Sequence, residues 1–296
     1  MPDRLVTEAG RLGVVGAGTM GVGIAYVFAM AGFEVFLVEP GAEAALRAQV
    51  TLKETAAGAV SRAKMTAEKA DGYLSQVRII KSATELPVGL DVVIETVPER
   101  LDLKKKVLAD VANRAPRLIA TNTSAMSIDD LAGAVRDPAC FLGMHFFNPV
   151  WSLKLVEVIR GAKTSADSVE RAQALATAIG KTTAIVADSP GFATSRLDLV
   201  QALEAIRMVE EGVASPEDID RAITIAYRHP TGPLRLSDMV GLDVRLDIAR
   251  QLAATIGPRF APPRLLQDMV ARGDLGQKSG RGFYDWATET TNSNAG

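Results

Sequence analysis

Residues 12–21, LGVVGAGTMG, constrain this chain more than any other stretch. Val14 and Val15 close a β-rich run, and Gly16, Gly18 and Gly21 follow in G-x-G-x-x-G spacing where a helical pattern opens. Gly16 permits a sharp turn, Gly18 lets the backbone approach a pyrophosphate, and Gly21 allows close packing of the helix, whose N-terminus offers amides to the anion. Glu39 closes the next β-rich run, 23 residues after Gly16. A carboxylate there accepts hydrogen bonds from a ribose diol and repels a 2′-phosphate, which favours NAD over NADP. The first arginine after it, Arg47, reads as too distant to compensate.

From residue 11 onward, short β-rich runs alternate with helical patterns: LGVVG, EVFLV, VRIIK, DVVIETV, RLIAT, FLGMHFF and TAIVA. Such alternation predicts an α/β fold, a Rossmann-type, mainly parallel sheet flanked by helices. Residues 41–75 are Ala-rich and charged and read as a helical excursion rather than one crossover helix. Residues 12–33 carry no charge, but their glycines break them into strand, turn and buried helix rather than a membrane span. The tails, 1–10 and 288–296, lack apolar periodicity and are expected to fray.

At DSPGF, residues 188–192, the β/α pattern stops, which places a domain boundary at 188/189. Beyond it Leu199, Leu203, Ile206 and Val209 recur at helical spacing, with Gly212 as a stop. Ser215 reads as the N-cap of another helix, with Pro216 at its first position and Asp218 near its positive end. Residues 189–296 are thus expected to be all-helical.

The 33 basic and 35 acidic residues balance, without the basic excess that binding to a nucleic-acid backbone requires. A single cysteine, Cys140, rules out an intrachain disulfide and fits a reducing, cytoplasmic setting. No residues are assigned to a metal.

The two histidines are used very differently. His229 lies in a turn-like YRHPTGP, without an obvious carboxylate partner, and reads as structural. His145 lies in HFFNPVWSLKLVE, where residues 141–147 and 153–159 both look like strands. Folded back symmetrically about Trp151, they set His145 opposite Glu157, with Cβ atoms about 5 Å apart. A carboxylate there fixes the imidazole tautomer and leaves the other nitrogen to exchange a proton with a substrate hydroxyl. Beside a dinucleotide site this suits alcohol oxidation, which must dispose of a proton as hydride leaves.

Taken together, VGAGTMG, TNTSAMSI, GMHFFNPV, KLVEVI, DSPGF, HPTGPL, SDMVGLD and KSGRGFYDW closely resemble the 3-hydroxyacyl-CoA dehydrogenases over residues 11–286. The resemblance implies NAD-dependent chemistry on a short-chain 3-hydroxyacyl-CoA. It also implies a helical domain that forms a homodimer, and an active site in the cleft between the two domains. His145 falls on the family's base and Glu157 on its partner. Ser124 falls near the substrate oxygen, and Asn148, Glu99, Lys104 and Lys278 fall on cofactor contacts. Arg62, with Lys64, offers cations for the phosphates of coenzyme A.

Two positions depart from the family pattern. Ser195 stands where asparagine completes the site, offering one donor where the amide offers two. Three readings of that serine stay open: lower activity, action through a water, or a different substrate. Trp151 stands where the family commonly has a smaller residue or proline, and either reshapes the acyl pocket or packs at the hairpin tip. These departures keep alive a dehydrogenase of free 3-hydroxy acids. A non-catalytic NAD-binding protein is the third reading, opposed by the intact His145 and Glu157.

Overall fold

The computed structural model describes residues 10–287; apart from Gly10, the tails expected to fray lie outside them. The chain divides into two compact units, with the division between Phe192 and Ala193.

The first unit is built on one eight-stranded sheet: β1 (Arg11–Val15), β2 (Glu34–Val38), β3 (Val77–Ile80), β4 (Val92–Glu95), β5 (Ile119–Thr121), β6 (Phe141–Phe146), β7 (Leu155–Arg160) and β8 (Thr182–Ala187). Their order is β3-β2-β1-β4-β5-β6-β7-β8, parallel except where β7 runs antiparallel to β6. Alternation along each strand splits the core in two. Leu12, Val14, Val35, Leu37, Val92 and Ile94 join one cluster, with Val22, Ile24 and Phe28 of helix α1 (Thr19–Met30). Val15, Phe36, Val38 and Val93 join the other, with Leu108 and Val111 of α4 (Leu101–Ala112) and Leu131 of α5 (Ile128–Ala132). Both faces are covered, so the central strands read as continuous apolar runs.

The charge-free stretch resolves into β1, a turn and the buried α1, and among the described residues no helix is long and apolar enough to cross a membrane. The excursion after β2 consists of α2 (Ala42–Ser61) and α3 (Ala67–Leu74), the latter capped by Thr66, whose hydroxyl accepts from the amide of Lys69. Helix α6 (Ala166–Ala178) connects β7 to β8.

The second unit packs α7 (Thr194–Glu210), α8 (Pro216–Ala226), α9 (Pro233–Val240), α10 (Leu242–Thr255) and α11 (Arg264–Arg272) around Leu199, Leu203, Ile206, Leu234, Leu246 and Phe260. Gly212 adopts a left-handed φ of 71° just past α7, and the Ser215 hydroxyl accepts from the amide of Asp218 at the start of α8. This unit is not wholly helical, because residues 276–286 form a clasp with two isolated β-bridges. Asp238 holds that clasp, accepting from the amides of Phe283 and Tyr284 and from the indole nitrogen of Trp286. Burial pushes its carboxyl above the usual carboxylate range despite those three donors.

Candidate active site

The carboxyl ends of β1, β2 and β4 meet where the strand order reverses, the place at which open α/β sheets bind ligands. There Gly16 turns with φ 105°, and its amide donates to the carbonyl of Val38 at 3.0 Å. A Cβ on Gly21 would lie 1.8 Å from the Gly16 carbonyl oxygen, so only glycine lets α1 start so close to the turn. A Cβ on Gly18 would meet nothing within 4 Å. Gly18 is instead the N-cap of α1, and having no side chain it leaves the first-turn amides to an incoming anion. Glu39 lies across the turn, where its carboxylate accepts from the amides of Ala17 at 3.3 Å and Gly41 at 2.9 Å. The pocket here, about 610 Å³, is lined by Gly16, Gly18, Glu39, Arg47, Thr96 and Trp151, among others. A closing-up glycine, an open glycine, unpaired helix amides and a carboxylate at the second strand end together fit NAD. Arg47, which the spacing reads as too distant, lines this pocket, because residues 44, 47, 48 and 51 share one face of α2.

Two residues that sequence reasoning did not single out hold this end of the sheet. Thr96 Oγ1 lies 3.0 and 2.9 Å from the carbonyl oxygens of Val15 and Gly16 and donates into both. Glu95, fully buried, accepts from Lys104 at 2.8 and 3.0 Å, from Thr121 Oγ1 at 2.6 Å and from the amide of Val97 at 2.6 Å. Lys104 is 1% exposed, and its ammonium also reaches Glu99 at 3.1 Å and the Val97 carbonyl at 3.2 Å. Lys104 is thus enclosed by protein acceptors, and Glu99 is the accessible member of the network. The other Glu99 oxygen accepts from Thr123 Oγ1 and from the amide of Ser124, at 3.1 Å for the latter. Ser124 follows β5, exposed, on the same edge of the sheet. No periodicity marks an acid inside an apolar strand as the partner of a lysine nine residues on.

His145 faces Glu157 across the β6/β7 ladder, in the register that the sequence predicts. Nδ1 lies 2.8 Å from Oε2 of Glu157, which is fully buried. With Nδ1–H donating to the carboxylate, Nε2 carries the lone pair and can accept a proton. The ring packs beside Phe147 and Phe192, with centroids 4.5 and 6.0 Å away, and the residue is 8% exposed. The hairpin tip is held from two sides. A Cβ on Gly23 would sit 2.8 Å from Val150, so α1 accepts the tip only because glycine is there. The ammonium of Lys181 donates to the carbonyls of Val150 and Leu153, each at 2.6 Å, and burial pushes its pKa down.

Arg62 and Lys64 line a second pocket of about 300 Å³, with Tyr26, Met30, Trp151 and Ile179. Asn148 is exposed in the hairpin tip. Lys278 is paired with Asp243 at 2.5 Å within the helical unit, and it holds that carboxyl below the usual carboxylate range. Ser195 is half-buried in the first turn of α7, and His229 is exposed after α8.

Two family models match in tandem, the NAD-binding domain of 3-hydroxyacyl-CoA dehydrogenase over residues 11–189 and the C-terminal domain of the same family over 191–286. The chain is 39% identical over 287 residues to a probable 3-hydroxybutyryl-CoA dehydrogenase of Bacillus subtilis, covering 96% of this chain and all of that one. It is 40% identical to the 3-hydroxybutyryl-CoA dehydrogenase of Mycobacterium tuberculosis, covering 93% and 98%. The crystal structure of an (S)-3-hydroxybutyryl-CoA dehydrogenase from Ralstonia eutropha superposes with a TM-score of 0.90 at 37% identity, over 94% of this chain and 99% of that one. With the dinucleotide cradle and the buried histidine–glutamate pair in place, these matches establish that the chain belongs to the 3-hydroxyacyl-CoA dehydrogenase family and is an oxidoreductase whose cofactor is NAD.

Proposed function

We propose that this protein interconverts a short-chain 3-hydroxyacyl-CoA and the 3-oxoacyl-CoA, with His145 as the proton-transferring group. The observation that carries this reading is the 2.8 Å contact between His145 Nδ1 and the buried carboxylate of Glu157. Bound NAD would supply the acceptor for the C3 hydride in oxidation and the hydride donor in reduction.

His145 Nε2 takes the hydroxyl proton in oxidation and gives it back in reduction. Glu157 holds the ring in the tautomer that leaves Nε2 basic and stabilises the imidazolium that forms. Gly16, Gly18 and Gly21 shape the pyrophosphate cradle, and Glu39 accepts from the adenosine ribose. Glu99, steadied by Lys104 and Thr123, faces the second ribose, with Asn148 and Lys278 as further cofactor contacts. Ser124 donates to the substrate oxygen, Ser195 takes the place of the family's asparagine, and Arg62 and Lys64 meet the phosphates of coenzyme A.

The helical unit is the dimerising one in this reading. Leu197 and Val200, three residues apart on α7, are 67% and 37% exposed, and Met239, Val240 and Val244 are likewise exposed at the junction of α9 and α10. Acyl-CoA metabolism in the cytoplasm is the setting that the thioester substrate and the lone Cys140 suit.

A second reading rests on Ser195 and Trp151: the same chemistry on a free 3-hydroxy acid. NADH formation, measured with 3-hydroxybutyryl-CoA and with a panel of free 3-hydroxy acids, separates the two. Turnover of the thioester supports the proposal; a free acid turning over while the thioester does not would replace it.

A further inference from the structure

Trp151 is shared by two pockets. It lines the dinucleotide pocket together with Gly16, Met20 and Thr96, and it also lines the smaller pocket that holds Arg62 and Lys64. Both pockets open on one face of α2. Residues 44, 48 and 51 line the first, and 55, 59 and 62 continue into the second at helical spacings of three and four. At 1.5 Å per residue that face runs about 27 Å, with the indole standing between its two halves.

Ala44, Ala48, Thr51, Thr55 and Ala59 floor this trench with small side chains that leave room for a ligand, and Arg47 also lines its first half. The tryptophan's surroundings are unequal. Lys181 grips the carbonyls of Val150 and Leu153 on either side of it, so the backbone is fixed. The side chain itself is 40% exposed and meets Tyr26 edge-on, with ring centroids 6.3 Å apart.

We infer that Trp151 couples the two ligands: the dinucleotide and the phosphate-bearing arm of the substrate pack against the same indole, and each fixes it for the other. The inference rests on the thioester reading above, since a free hydroxy acid has no arm to reach Arg62. Whichever ligand arrives first bears the entropy of immobilising the ring, and the second finds it in place. The coupling must be reciprocal, because it is a property of the ternary complex. It also gives the residue a role in specificity, since a substrate without the arm gains nothing from bound cofactor.

The test is calorimetric titration of NADH into the intact protein with and without saturating free coenzyme A, for wild type, Trp151→Ala and Trp151→Phe. In wild type coenzyme A tightens NADH about three- to tenfold, the size expected from ordering one side chain once rather than twice. In Trp151→Ala that ratio falls to one or below while each ligand still binds alone, and Trp151→Phe restores part of it. A wild-type ratio of one with coenzyme A bound, or an undiminished ratio in Trp151→Ala, overturns the inference and leaves the thioester reading standing. Failure of coenzyme A to bind wild type removes that reading and the inference with it.

Discussion

The ammonium of Lys104 lies 2.8 Å from the carboxylate of Glu95, both fully enclosed by the sheet and by α4. Their pairing links the end of β4, which shapes the dinucleotide pocket, to the helix that covers it. Removing Lys104 strands the Glu95 charge in the interior. Lys104→Met is expected to destabilise the protein by about 3–5 kcal/mol. Glu95→Gln combined with Lys104→Met should recover much of that loss, because no lone charge remains. Urea denaturation followed by circular dichroism measures both, and equal stabilities for the single and double variants would refute the pairing argument.

Gly18 and Gly21 separate folding from binding. Space is open at Gly18, so Gly18→Ala should melt close to wild type yet bind NADH at least about tenfold more weakly, because its methyl intrudes where the pyrophosphate must approach. Gly21→Ala forces a methyl into the Gly16 carbonyl and should cost about 1–3 kcal/mol of stability as well as binding. Thermal melts and NADH titrations of the two variants give the comparison. Equal melting temperatures for both would contradict the crowding seen at Gly21.

Much of this was legible in the sequence because it rests on periodicities of two and of about 3.6. The glycine spacing marks the tight turn between β1 and α1, and the symmetry of the hairpin about Trp151 sets His145 opposite Glu157. Other features depend on the third dimension and leave no local mark. Glu95 reads as one more strand residue until Lys104 folds over it, and Lys181 looks like a surface lysine until the hairpin tip returns to its ammonium. Arg47 stands eight residues beyond Glu39 along the chain, whereas helical pitch brings it to the pocket that Glu39 lines. In the second unit the clasp over Asp238 was missed because its bonds run from residues 45 to 48 positions away in an irregular segment.

Asp238 gives a pH signature. Its carboxyl is raised in the folded protein, chiefly by burial, so the native state holds that proton more tightly than the unfolded chain. Its contribution to stability is therefore complete below the ordinary carboxylate range and is lost as pH rises through the raised folded value. Asp238→Asn removes this dependence. Melting temperatures from about pH 4 to about pH 8 should show the advantage of wild type over the variant shrinking as pH rises. A constant or growing difference would contradict the assignment.

Glu157 should matter to rate and not to cofactor affinity. Glu157→Gln keeps the shape but loses the charge that supports an imidazolium, and turnover is expected to fall about a hundredfold. NADH affinity, measured by fluorescence titration, should stay within about twofold, since Glu157 is fully buried beneath His145. Parallel losses in rate and in affinity would make the carboxylate structural.

Single-turnover formation of NADH from 3-hydroxybutyryl-CoA by His145→Ala is the most direct trial of the central claim. The histidine relay predicts a rate at least about a thousandfold below wild type, with NADH affinity retained. A rate within about tenfold of wild type would show that the proton leaves by another route.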